Sequence, residues 1–248
     1  MKVLITGGSG KLGRKLLRLF PSALAPSHRE LDITNRKRVF EYLHDKTPET
    51  LIHCAALTSI RECESHRHKA FEVNVHGTEN LFEALESIAT LYCFRGYFAY
   101  LSSACVFSGE FPHRFYSESD IPYPRNFYGL TKLLGEVIVN RGSSPLMSHL
   151  IVRTNFVERG KWPYPAAFTD RFGTYLYTDQ VARAIKTLIK KRTTGTVHVC
   201  GDRRISMYDL ARRADKSVKP TTLKNYNGPP LTVNMCLTSK RIRPIPLR

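Results

Sequence analysis

Val3-Leu4-Ile5-Thr6-Gly7-Gly8-Ser9-Gly10-Lys11-Leu12-Gly13 is the stretch that decides the fold. Val3-Leu4-Ile5 is continuously apolar and reads as a short buried parallel strand. From Lys11 onward the apolar residues recur at Leu12, Leu16, Leu17 and Phe20, which is helical spacing. The glycines therefore lie between a strand and a helix, the setting of a dinucleotide-binding turn. Gly7, Gly10 and Gly13 allow a tight turn and close approach of backbone to a pyrophosphate. Lys11 and Leu12 begin a helix whose free N–H groups face the phosphates.

Outward from that turn, strand and helix signals alternate. A second strand is expected over residues 22–26, and a helix over 35–45 capped by Thr34 or Asn35. Leu51-Ile52-His53-Cys54-Ala55-Ala56 reads as a third strand running into small residues that leave room for a ligand. A long helix is expected over 66–89, a fourth strand over 97–102, a helix over 127–141 and a fifth strand over 150–153. Repeated βα units imply an α/β fold with a right-handed, doubly wound parallel sheet. Beyond Arg153 the pattern thins to strands at 175–177 and 196–200 and helices at 179–191 and 206–214. The tail, with Pro220, Pro229, Pro230, Pro244 and Pro246, reads as extended. The expected division is a dinucleotide-binding domain over 1–155 and a small, shortened C-terminal substrate lobe over 156–248, intertwined with the first.

Composition sets bounds. A chain of 248 residues with 42% hydrophobic content suits one such domain with an appended lobe. No run approaches the ~18 apolar residues of a membrane span. The first strand starts at residue 3 and leaves no room for a signal peptide. The six cysteines lack zinc spacing, so no metal is expected, and reduced thiols in the cytoplasm are the expectation. Net charge is +17, and from Arg183 onward sixteen Lys/Arg face three acids. Such asymmetry suits nucleic acid, an anionic nucleotide substrate or a lineage with a basic proteome; with no nucleic-acid motif and sparse aromatics, nucleic acid is not expected.

Tyr128-Gly129-Leu130-Thr131-Lys132 supplies candidate chemistry. Tyr128 and Lys132 are four apart and share a helix face. An ammonium beside a phenol favours the phenolate, and a Tyr so tuned is a usable general acid near neutral pH. The plain alternative is an ordinary amphipathic helix with a solvated Lys132.

The ordered motifs resemble those of the extended short-chain dehydrogenase/reductases, and most of all the dTDP-4-dehydrorhamnose reductases and their relatives. The resemblance rests on the glycine turn, Glu30-Leu31-Asp32-Ile33-Thr34, His53-Cys54-Ala55-Ala56-Leu57-Thr58 and Asn74-Val75-His76-Gly77-Thr78-Glu79-Asn80-Leu81. Leu101-Ser102-Ser103-Ala104-Cys105-Val106-Phe107-Ser108-Gly109 and Tyr128-Gly129-Leu130-Thr131-Lys132-Leu133-Leu134-Gly135-Glu136 complete it. It covers residues 1–155 well and the rest loosely.

The resemblance implies an NAD(P)H-dependent oxidoreductase that reduces a 4-keto nucleotide sugar, as in dTDP-rhamnose biosynthesis. Tyr128 would protonate the oxyanion, Lys132 would lower the Tyr128 pKa and hold the nicotinamide ribose, and Ser103 would polarise the carbonyl. Ser103 has a plain alternative as a loop cap. Asp32 and Ile33 would border the adenine, and Ala55, Ala56 and Thr58 would line the cofactor. Ile60, Cys105 and Phe156 would face the sugar, although Ile60 suits the core equally.

At the end of the second strand Ala25-Pro26-Ser27-His28-Arg29 carries no acid for a ribose. Arg29, with His28 or Ser27, suits a 2′-phosphate, so NADP is the expected cofactor and NAD the alternative. The expected partners are a nucleotide-sugar substrate and a second copy in a homodimer, without membrane or nucleic acid.

The chain departs from the reductases at Ala104 and Cys105, where they carry an Asp and an aromatic. Ser-Ser-Ala at 102–104 is similar to nucleotide-sugar epimerases. The segment between Phe156 and Phe168 is short, which leaves the nucleotide base open. Two rivals follow: an epimerase or dehydratase, and a non-catalytic NADP-binding regulatory subunit like the methionine adenosyltransferase β subunit.

Overall fold

A computed structural model describes residues 1–141 and 144–247. Five strands, β1 (Val3–Thr6), β2 (Thr50–His53), β3 (Gly96–Leu101), β4 (Met147–Thr154) and β5 (Gly195–Val199), form one parallel sheet in that order. Successive side chains on each strand enter different cores. Ile5, Ile52, Ala99 and Val152 pack with Leu16 of α1 (Lys11–Leu19). Leu4, Leu51, Phe98 and Ile151 face the opposite way, onto Val39 and Leu43 of α2 (Arg36–Lys46). Both faces of the sheet are thus covered, which is why its strands are apolar throughout. The doubly wound α/β fold expected from the sequence is the one observed.

Between β2 and β3 the chain forms α3 (Ile60–Ser65), α4 (Arg67–Phe71), a π-helical turn (Glu72–His76) and α5 (Gly77–Leu91). The long helix expected over 66–89 is therefore interrupted by a π-turn around Asn74. After β3 comes α6 (Phe127–Asn140), capped by the Asn126 side chain, which accepts from the Gly129 N–H at 2.9 Å. Helix α7 (Thr178–Lys190) returns to the first face, where Val181, Ile185 and Ile189 join the cluster around Leu16.

Two expectations need correction. The second strand, expected over 22–26, shrinks to one bridge between Leu24 and Leu4, with 2.8 Å hydrogen bonds to Ile5 and Val3. Pro21 and Pro26 bracket it and have no N–H to donate, so the ladder cannot extend. Strand β2 ends at His53, so Cys54, Ala55 and Ala56 form a loop beyond the strand's carboxyl end, where ligands of such sheets sit.

Outside α7 and β5, residues 156–247 build short pairings and α8 (Met207–Arg212). Phe172–Gly173 runs between Ile205–Ser206 and Asn234–Met235, and Ala166–Phe168 pairs with Lys219–Thr221. Phe156–Val157 pairs with Leu176–Tyr177 and leads straight out of β4. The lobe therefore hangs over the carboxyl end of the sheet.

Candidate active site

A cavity of about 970 Å³ runs along the carboxyl ends of the strands, from the glycine turn to the lobe. Gly7 sits at φ +69°, and a Cβ there would lie 2.6 Å from the Ala55 nitrogen. At Gly13 a Cβ would lie 2.1 Å from the Gly7 carbonyl oxygen. Only glycine permits this turn and this helix approach. Helix α1 has no side-chain cap at Gly10 and no acid in its first turn, so its N–H groups stay free for an anion. These features fit the diphosphate of a dinucleotide.

Of the residues expected at the cofactor, Gly7, Gly10, Lys11, Leu12, Gly13, Asp32, Ile33, Ala55, Ala56, Thr58, Tyr128 and Lys132 line the cavity. Ser27 and His28 line it too, whereas Arg29 is exposed in the same turn outside the lining. The Glu30 carboxylate is engaged locally, accepting the Ser27 N–H at 2.7 Å. Asp32 accepts the Thr34 N–H at 3.0 Å and the Thr34 hydroxyl at 2.8 Å. Burial works to raise the Asp32 pKa, but these bonds and His28 and Arg38 outweigh it and hold the carboxyl below its ordinary range. Of the two caps expected for helix α2, Asn35 is the one observed, its side chain accepting the Arg38 N–H at 3.1 Å.

Ser103, Tyr128 and Lys132 all line the cavity. Ser103 follows β3 and accepts the Cys105 N–H at 3.1 Å, so it caps a 3-10 turn while facing the cavity. The loop-cap alternative for Ser103 is thus observed. Tyr128 and Lys132 lie one turn apart on α6. Lys132 is buried, with its Nζ 4.1 Å from the Tyr100 ring centroid. Burial pulls its pKa down to about 8, with Glu136, Cys54 and Cys63 pulling upward.

The electrostatics differ from the simplest expectation. Burial pushes the Tyr128 phenol above its ordinary value, with Cys105 adding to the rise and the Ser103 hydroxyl opposing it. Lys132 is not among the groups that move it. Its ammonium lies over the Tyr100 face instead, where the ring quadrupole holds the cation.

A buried polar chain supports this wall. The Thr6 hydroxyl meets His53 Nδ1 at 2.7 Å, and His53 Nε2 meets the Thr78 hydroxyl at 3.0 Å. Thr78 donates to the Asn74 carbonyl at 2.7 Å. Asn74 Nδ2 donates to the Leu57 carbonyl at 2.9 Å and to Thr131 Oγ1 at 3.0 Å. Asn74 Oδ1 accepts the Leu57 N–H at 2.7 Å. Burial holds His53 at a pKa of about 3, so it stays neutral and serves as a bridge. On the other side of α6, Arg153 donates to Glu136 through Nε at 2.9 Å and Nη2 at 2.7 Å, and Ser102 donates to the same carboxylate.

Cys105 and Phe156 line the lobe-side end; Ile60 is the first residue of α3 and lies outside the lining. Asn155, Tyr175, Met207 and Met235 also line that end and were not anticipated. Asn155 lies two residues past the strand expected over 150–153, and Tyr175 opens the one expected over 175–177. Among the described residues no group of His, Cys, Asp and Glu is placed to hold a metal, and no helix is long and apolar enough to cross a membrane.

Known proteins are similar to this chain. Methionine adenosyltransferase 2 subunit beta of Rattus norvegicus is 28% identical over 243 residues, spanning 85% of this chain and 70% of that protein. The dTDP-4-dehydrorhamnose reductase of Aggregatibacter actinomycetemcomitans is 29% identical over 257 residues, spanning 90% and 82%. A crystal structure of a dTDP-4-dehydrorhamnose reductase from Clostridium acetobutylicum superposes with a TM-score of 0.86 at 28% identity, covering 96% of this chain and 90% of that one. Residues 1–161 match the family described as RmlD substrate binding domain. With more than half its length matched, the chain belongs to the RmlD substrate-binding-domain family.

Proposed function

We propose that this chain is an NADPH-dependent reductase of a 4-keto nucleotide sugar, of the dTDP-4-dehydrorhamnose reductase type. The observation that carries the reading is the meeting of Ser103, Tyr128 and Lys132 in one cavity with an uncapped glycine turn. When bound, the nicotinamide cofactor supplies the hydride. Tyr128 protonates the sugar C4 oxygen, Ser103 donates a hydrogen bond to that oxygen, and Lys132 donates to the ribose. Both donors are fixed before reaction, so the developing charge is met without reorganisation. Ser27 and His28, with Arg29 in the same turn, hold the 2′-phosphate that selects NADP. Residues 1–155 carry the cofactor, and 156–248 form the substrate lobe.

The setting is the cytoplasm, in keeping with six free cysteines. A homodimer would cover Leu130 and Val137, exposed and seven apart on α6. Ala104 and Cys105 provide no acid beside Ser103, which disfavours a dehydratase. The regulatory alternative draws on the methionine adenosyltransferase relative and predicts cofactor binding without turnover. A screen of dTDP- and UDP-4-keto-6-deoxyglucose with a 3,5-epimerase, using NADPH and NADH in parallel, separates these readings. Cofactor oxidation supports the reductase; sugar interconversion without net oxidation indicates an epimerase.

A further inference from the structure

The lobe-side end of the cavity contains groups that the proton and hydride transfers do not use. Thr154, Asn155 and Tyr175 line it, and their relative exposures are 3%, 9% and 3%. Each carries an oxygen with no hydrogen-bond partner among the described residues: Thr154 Oγ1, Asn155 Oδ1 and the Tyr175 hydroxyl. Buried polar atoms are nearly always paired, so three unpaired oxygens on residues of one cavity wall point to a ligand that pairs them. The Asn155 amide is fixed in orientation, because Nδ2 donates to the Met235 carbonyl at 3.0 Å and leaves the oxygen free to accept. A Cβ at Gly173 would lie 2.7 Å from Asn155 Nδ2 and 2.8 Å from the Tyr175 ring, so the two side chains close over that glycine. Burial pushes the Tyr175 pKa up and keeps it a neutral phenol, able to donate.

Behind them Arg171 is buried. Its Nε donates to the Thr232 carbonyl at 3.0 Å, while Nη1 and Nη2 meet only the sulfurs of Met207 and Met235, at 3.6 and 3.5 Å. Thioethers are weak acceptors, so this guanidinium remains under-compensated beside the cavity.

We propose that Tyr175, with Asn155 beside it, is a specificity-determining residue that reads a hydroxyl of the substrate's hexose. A sugar hydroxyl accepts from the Tyr175 O–H and donates to Asn155 Oδ1, whereas a phosphate or carbonyl oxygen cannot donate. Arg171 adds positive potential suited to a sugar that carries a diphosphate. This inference rests on the reductase reading.

The test compares wild type with Tyr175→Phe, which removes one oxygen. Calorimetric titrations with dTDP-glucose and with dTDP, an NADPH titration and a thermal melt are run on both, beside KM for the 4-keto nucleotide sugar. The expected result is a roughly tenfold rise in KM and in the dTDP-glucose Kd. The dTDP Kd, the NADPH Kd and Tm should stay put. A variant that binds dTDP-glucose like wild type, or loses dTDP equally, overturns the inference. If Tyr175→Phe melts early, Asn155→Ala must show the same selective loss of dTDP-glucose. A wild type that binds dTDP-glucose but reduces no 4-keto nucleotide sugar would overturn the reductase reading alone, and the Tyr175→Phe contrast would still decide the hydroxyl contact. A wild type that binds no nucleotide hexose overturns both.

Discussion

Asn74 Nδ2 donates to Thr131 Oγ1 across 3.0 Å, joining the π-turn to the helix that carries Tyr128 and Lys132. Asn74 also grips both backbone groups of Leu57, in the loop after β2. The π-turn thus places one amide against two walls of the cavity, and π-bulges often serve functional sites in this way. Asn74→Ala removes three hydrogen bonds at once. It should destabilise the fold by about 1–3 kcal/mol and lower turnover at least roughly tenfold. Melting curves and steady-state kinetics check this; a variant normal in both contradicts the structural role.

The Arg153–Glu136 pair is buried, with side-chain exposures of 6% and 2%. Arg153→Met leaves a carboxylate without its partner in the core and should cost about 3–5 kcal/mol. Denaturant titration measures the loss. The double variant Arg153→Met with Glu136→Leu should recover much of it, since an apolar pair avoids the unpaired charge.

Lys132 should tie cofactor affinity to pH. Its folded pKa of about 8 lies below the ordinary 10.5 because burial disfavours the charged form. Between those values the unfolded chain holds the proton and the folded one does not, so this residue's contribution to stability rises with pH across that window. Cofactor binding should run the other way, because the proposed ribose contact uses the ammonium. The NADPH Kd should weaken as pH rises through about 8, and Lys132→Met should flatten that dependence. A Kd that is level from pH 6 to 10 in wild type contradicts the contact.

At Gly13 a Cβ would sit 2.1 Å from the Gly7 carbonyl. Gly13→Ala must therefore push α1 away from the turn and spoil the anion site. Cofactor affinity should fall by about tenfold or more, read by NADPH fluorescence titration. Unaltered affinity would mean the phosphates lie elsewhere.

The glycine turn, the sheet and the Tyr128/Lys132 helix were legible because each rests on local spacing: apolar runs for strands, 3.6-residue periodicity for helices, glycines at fixed offsets. The strand expected over 22–26 failed because two prolines that flank it limit pairing, a veto that periodicity alone overlooks. The π-turn could not be read, since residues 66–89 carry one unbroken helical pattern and the extra residue shows only in tertiary contact. Lys132 was expected to act on the Tyr128 phenol; its position over Tyr100 depends on β3, a partner 32 residues away in sequence. Tyr175, Met207 and Met235 escaped for the same reason. They reach the cavity only through lobe pairings of two or three residues, too short to leave a periodic trace.

Tyr128 is proposed to deliver the proton to a sugar carbonyl. The most direct test is NADPH oxidation by Tyr128→Phe against wild type, with a 4-keto-6-deoxy nucleotide sugar at saturation. Turnover should fall by about 10²-fold or more with the NADPH Kd preserved. Turnover equal to wild type would contradict it.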